Sequence, residues 1–96
     1  MGADVMSLQD FQDIRTKSFH ISQLEDPIEL ELLEATKLKS GGLNENGFSL
    51  LWQGPLTPAL SQATYTLDHA ELGARPYFIV PIGKTEAGYQ YEAIFT

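Results

Sequence analysis

The chain has 96 residues and a mass of 10.6 kDa, which suits one domain, since domains typically hold roughly 100–150 residues. It has no cysteine, so disulfide frameworks, thiol catalysis and cysteine-ligated metal sites are excluded. With 13 acidic against 6 basic residues, the formal net charge is −7, which makes nucleic-acid phosphate an unfavourable partner.

No apolar run approaches the roughly 18–20 residues that a membrane helix needs. Residues 1–6 lack the basic start and the long apolar stretch of a secretory signal. We therefore expect a cytoplasmic protein without membrane contact. Residues 1–6 are expected to form a flexible extension, and residues 7–96 a single β-rich domain.

The acidity belongs mainly to the N-terminal third, because residues 1–35 hold eight of the acids and only two bases. It is densest at residues 23–34, which contain five acids and no base. A charge run of this kind predicts a solvated face. A docking surface for a basic partner is one alternative, and a calcium site at Glu25 and Asp26 is another.

The chain begins with a helix signal and continues with strands. Ser7, followed by Asp10 three residues later, is an N-cap pattern, and the spacing of Leu8, Phe11 and Ile14 predicts a helix of about two turns. From Ser18 onward, apolar residues mostly alternate with polar ones, as in half-buried strands. The predicted strands cover residues 18–22, 28–38, 48–53, 64–69, 77–80 and 89–95.

Two segments leave alternatives open. The alternation slips at Leu33, which a β-bulge explains, although a helix over residues 32–39 is the competing interpretation. The strand at residues 77–80 is bracketed by Pro76 and Pro81, which favours ends there because proline removes a ladder donor. Residues 83–88 are expected to form a hairpin loop.

The connections between the predicted strands are too short for the helical crossovers that parallel pairing requires. The sequence therefore predicts an all-β, mainly antiparallel fold of about six strands with one short N-terminal helix. Both a small barrel and a two-layer sandwich satisfy this pattern, and the helix is expected to plug one open end.

Candidate catalytic groups do not form a recognisable set. His69 follows Asp68, but neighbouring strand residues point to opposite faces, and His20 lies on the polar side of its strand. Ser49 lacks the turn of a nucleophile elbow. Glu29 and Glu31 share a strand face, and both are expected to face water. They therefore lack the apolar surroundings that would favour acid/base catalysis. We expect no enzyme activity, no metal site and no cofactor.

The aromatic residues, which are concentrated in the second half of the chain, are more informative. Residues 48–52 and 77–80 are apolar on both faces, yet a small sheet has only one interior. Some of Leu51, Trp52, Tyr77 and Phe78 must therefore face outward, and exposed apolar patches usually mark partner surfaces. These four residues are the predicted interaction surface.

Four strings of the sequence resemble the successive blocks of a small bacterial domain family that is known only as a domain of unknown function. They are FSLLWQGP at 48–55, QATYTLDHAELG at 62–73, FIVPIG at 78–83 and YEAIF at 91–95. Members of that family occur near phage-tail-collar-like fibre proteins. The resemblance implies an accessory or assembly role, and it supplies no active-site residue.

Two hypotheses follow from these observations. The first is a small non-catalytic interaction or assembly module, accessory to a phage-tail-like or fibre structure, that binds a protein partner or self-associates. The second is a small-ligand-binding β-barrel whose cavity is lined by Trp52 and the tyrosines, although six strands leave a narrow interior.

Overall fold

The structure is a computed structural model and describes residues 7–21, 28–38, 47–57 and 59–95. These residues form one helix and six strands, which confirms the predicted fold class. In chain order the elements are α1 (Leu8–Gln12), β1 (Ser18–Ile21), β2 (Ile28–Lys37), β3 (Phe48–Gln53), β4 (Ala63–His69), β5 (Gly73–Thr85) and β6 (Gly88–Phe95).

Some expectations lie outside the described residues. They are the flexible extension at residues 1–6 and the calcium alternative at Glu25 and Asp26.

The strands close into a barrel in the order β1-β2-β3-β6-β5-β4. Every neighbouring pair is antiparallel, as the short connections predicted. The seam is formed by β1 and β4, whose register pairs His20 with Asp68 and Ile21 with Leu67. This pairing makes the molecule a barrel and excludes the two-layer sandwich.

Strand β2 continues to Lys37, so the alternative of a helix over residues 32–39 is wrong. Its register with β3 shifts between Leu32 and Glu34, which confirms the predicted bulge. Pairing with β3 then runs on as far as Lys37, opposite Phe48. Ladder hydrogen bonds to a neighbouring strand thus override the helix propensity of the segment.

Strand β5 is longer than predicted, because it passes through both Pro76 and Pro81. The register pairs residues 73–79 with β4 and residues 80–85 with β6, so each proline has a paired neighbour on one side only. Pro81 also adjoins a register shift. These are the edge-like and bulged positions at which a strand tolerates proline. The expected loop at 83–88 shortens to a turn at Glu86 and Ala87.

Helix α1 closes one end of the barrel, as expected, although it is shorter than two turns. The Ser7 backbone N–H donates to the Asp10 carboxylate at 2.9 Å, which holds the first turn. Phe11 is fully buried, and its ring centroid lies 5.7 Å from that of Phe48, 6.1 Å from Tyr77 and 6.0 Å from Phe95. The helix thus supplies an aromatic plug to the core.

Trp52 and Tyr77 lie in the interior, which corrects their assignment to the predicted surface. Trp52 is 0% exposed and Tyr77 2% exposed, and their ring centroids are 5.6 Å apart. Burying Trp52 in place of Leu51 removes more apolar area from water, whereas the register of β5 places Tyr77 inside and Phe78 outside. Within the described part of the chain, Trp52 Nε1 and the Tyr77 hydroxyl are buried without a hydrogen-bond partner.

Gly88, the first residue of β6, permits a close approach of two chain segments. Its φ is +146°, and a methyl group there would overlap the Gly54 carbonyl oxygen and lie 2.6 Å from the Pro55 carbonyl carbon. We expect Gly88→Ala to lower the free energy of unfolding by about 3 kcal/mol or more, measured by urea denaturation. Gly83→Ala is the control, because open space surrounds that position. A stable Gly88→Ala variant would contradict this packing.

The unpaired Tyr77 hydroxyl leads to a second stability prediction. Tyr77→Phe removes a buried polar group that lacks a partner, so we expect the free energy of unfolding to rise by about 1 kcal/mol. Tyr91→Phe is the matched control, since the Tyr91 hydroxyl accepts from the Leu60 N–H at 2.8 Å. Its loss leaves that N–H unpaired and should cost about 1–3 kcal/mol. Equal losses in both variants would contradict the expectation.

Alkaline solution gives an independent measure of the same hydroxyl. Burial raises the pKa of Tyr77 from 10.0 to about 12. The unfolded chain releases this proton at a lower pH than the folded chain, so the effect is absent below pH 10. From about pH 10 to 12 it lowers the free energy of unfolding by about 1.4 kcal/mol per pH unit. Tyr77→Phe should therefore flatten the pH dependence of urea denaturation, and parallel curves would refute the assignment.

Candidate interaction surface

His69, one of the two histidines considered from the sequence, is held by backbone groups at both ring nitrogens. Its Nε2 lies 2.8 Å from the Thr16 carbonyl oxygen, to which it donates. Its Nδ1 accepts from the backbone N–H groups of Glu71 and Leu72, at 3.0 and 3.1 Å. His69 is 5% exposed. Its ring packs against that of Phe19, with 4.5 Å between the ring centroids. These contacts give His69 a structural role at the seam of the barrel.

Glu71 ties the same turn to the segment before β1. Its Oε2 accepts from the backbone N–H of Arg15 at 2.8 Å and from that of Thr16 at 3.3 Å. The hydrogen bond from Arg15 is the largest cause that lowers the pKa of Glu71, with the bond from Thr16 adding to it. Together His69 and Glu71 fasten the end of β4 and the turn after it to the segment that leads into β1.

The remaining candidate polar residues do not converge on one place. His20, Glu29 and Glu31 are exposed on the outside of the barrel, and Ser49 is half-buried on β3. The Ser18 hydroxyl donates to Glu29 Oε2 at 2.6 Å. The acidic outer face of β2 is thus solvated where it is described, as the charge run predicted.

An apolar cluster lies on the outer wall of the barrel, across β3, β6 and β5. Leu51 and Val80 are the cross-strand partners of Glu92 on either side of β6. Cross-strand partners share a face of the sheet, so the three side chains form one row. Ile94 follows two residues after Glu92, and Phe78 comes two residues before Val80. We call Leu51, Phe78, Val80 and Ile94 the outer patch.

The outer patch contains two of the three most exposed large apolar side chains of the described residues, and the third is Ile82 at 51%. Phe78 is 52% exposed and Ile94 50% exposed, whereas Leu51 and Val80 are half-buried. The pairing of β5 with β6 ends at Val80 and Glu92, and Phe78 and Ile94 lie beyond that last pair. They therefore flank the end of the barrel that α1 plugs.

The structure brings two of the four sequence-predicted surface residues together on the outer wall. Leu51 and Phe78 belong to the outer patch, while Trp52 and Tyr77 point into the barrel. Sequence reasoning missed Ile94. Strict alternation in β6, with Tyr91 and Ala93 inside, already places Ile94 outside and could have found it.

A shallow groove of about 180 Å³ adjoins this wall, between α1 and the bulge in β2. Glu34 lines it and is also the cross-strand partner of Leu51, so the groove continues from the outer patch. Leu33, pushed outward by the bulge, is 43% exposed there. The full lining is Phe11, Gln12, Lys17, Leu32, Leu33, Glu34 and Ala35.

Comparison with known proteins assigns the chain to a family. Along the described stretches, no helix has the length and apolar character to span a membrane. Neither the curated proteins nor the solved structures contain a match. A family model with the description "Domain of unknown function (DUF6916)" matches residues 6–95. The chain therefore belongs to this family of domains of unknown function.

Proposed function

We propose that the protein is a small non-catalytic interaction or assembly module that acts through the outer patch. The observation that carries the proposal is the exposure of Phe78 and Ile94, at 52% and 50%, on the same wall of a closed barrel. Clustered exposed apolar side chains are costly in water and usually mark a contact surface. The occupant is a protein partner or a second copy of the chain.

The setting of this contact is proposed from the family resemblance. An accessory role in a phage-tail-like or fibre assembly fits a small closed barrel that clusters exposed apolar side chains on its outer wall. The acidic outer face of β2, with Glu29, Glu31 and Glu34 exposed, supports solubility and steers a partner of opposite charge.

A small-ligand-binding barrel is the weaker alternative. The residues expected to line its cavity pack against one another, with Trp52 5.6 Å from both Phe19 and Tyr77 between ring centroids. A ligand would have to displace these rings. Saturable quenching of Trp52 fluorescence by one class of metabolite would favour this alternative.

The proposal is tested by removing the outer patch while keeping strand propensity. In the double variant Phe78→Thr/Ile94→Thr, polar β-branched side chains replace the two exposed apolar ones. We expect the complex with the product of a neighbouring gene, or the self-associated species, to weaken at least tenfold, roughly as for loss of a hot spot. Light scattering gives the solution mass, alone and in mixture.

The control is Leu56→Thr, which removes an exposed apolar side chain from the segment that follows β3, at the end of that strand opposite Phe48. This variant should keep the wild-type mass in both measurements. A wild-type protein that stays monomeric, and that forms no complex with any product of the neighbouring genes, would remove the support for the proposal. Equal weakening by the control would place the contact elsewhere.

A further inference from the structure

Glu92 occupies the middle of the outer patch. Val80 on β5 and Leu51 on β3 are its direct cross-strand partners, and Ile94 follows on the same face of β6. Such cross-strand partners have Cβ atoms roughly 4.5–5.5 Å apart. Glu92, a half-buried residue, thus has apolar neighbours on three sides.

No cation within residues 7–21, 28–38, 47–57 and 59–95 neutralises Glu92. Among the described residues it takes part in no ion pair and no hydrogen bond of its side chain. The nearest cation along the hairpin, Lys84, has its Nζ 5.6 Å above the ring of Tyr89. Any partner that covers the outer patch also removes water from this carboxylate. An unpaired carboxylate without water is strongly unfavourable, so the partner must bring a cation.

A second acidic group continues the same row. Glu34 on β2 is the cross-strand partner of Leu51, and it is exposed. The row therefore reads Val80, Glu92, Leu51 and Glu34 across four strands. Because adjacent strands lie about 4.8 Å apart, the two carboxylate positions are separated by about 10 Å, with Leu51 between them.

A second copy of the chain fits this surface poorly. A two-fold contact is self-complementary, so a contact centred on the outer patch would place Glu92 against Glu92 of the other copy. Like charges that are brought together among apolar side chains repel strongly. The net charge of −7 opposes the approach of a second copy in the same way.

Resting on the proposed function, we infer that the outer patch binds a different protein chain, and that this partner inserts a lysine or arginine against Glu92 within an apolar contact. A second basic residue about 10 Å away, across an apolar side chain that packs on Leu51, matches Glu34. The row fixes the chemistry of the partner as alternating basic and apolar groups.

The test is a selection from a random dodecapeptide library, displayed on phage, against the wild-type protein. Each pool is counter-selected on the Phe78→Thr/Ile94→Thr variant, so that only peptides that need the outer patch remain. We expect these peptides to be enriched in lysine or arginine beside apolar residues. The affinity of a synthetic copy of the best peptide should fall at least tenfold with Glu92→Gln, as for loss of a close charge pair.

Glu86→Gln is the matched control, because it removes the same charge from the exposed turn between β5 and β6. It should change the affinity less than twofold in calorimetry. Patch-dependent peptides without basic enrichment, or an affinity indifferent to Glu92→Gln, would overturn the inference and leave the proposed function standing. A wild-type dimer that dissociates in the double variant would also overturn it. A library without patch-dependent peptides would overturn both.

Discussion

Closure of the backbone ladder is the constraint on which the rest of this structure depends. Once six strands pair into a ring, each strand residue faces either the interior or the outer wall, and the alternation leaves no third choice. The interior is narrow and is filled by rings from several elements. Phe19, Trp52 and Tyr77 contact one another there, and Phe11 of α1 closes the end.

The outer patch is a consequence of this filling. Strands β3 and β5 each carry apolar residues on both faces, and the interior accepts only one set. Trp52 and Tyr77 are taken inside, and their neighbours Leu51 and Phe78 are thereby turned to the outer wall. The surface proposed for partner binding therefore has the same origin as the core, since one alternation places both.

The sequence predicted those parts of the fold that depend on local alternation. The strands around Phe19, Leu50, Leu67 and Tyr91 follow directly from period-two spacing, and the slip at Leu33 correctly indicated a bulge. The sequence could not show whether Leu51 or Trp52 faces the interior, because both are apolar. The same holds for Tyr77 and Phe78. That choice depends on which face of the strand meets the other rings.

Other differences arise from contacts between residues far apart in the chain. Pro76 and Pro81 looked like strand ends, yet they are tolerated because β5 exchanges one neighbour for another along its length. The choice of barrel over sandwich depends on the pairing of β1 with β4, which no local pattern encodes. Local patterns could not predict the candidate site either, because the row through Glu92 forms only when β3, β6 and β5 pair in register.

The seam between β1 and β4 has a consequence for how the fold opens. Among the described residues, its ladder register pairs His20 with Asp68 and Ile21 with Leu67, and the His69 and Glu71 contacts to the segment at Arg15 and Thr16 reinforce it. A ring of strands separates first where the fewest bonds must break together. Partial opening there would bare two strand edges, each able to accept a strand from another molecule. By holding this seam closed, the contacts of His69 and Glu71 protect the chain against misassembly during its own fluctuations.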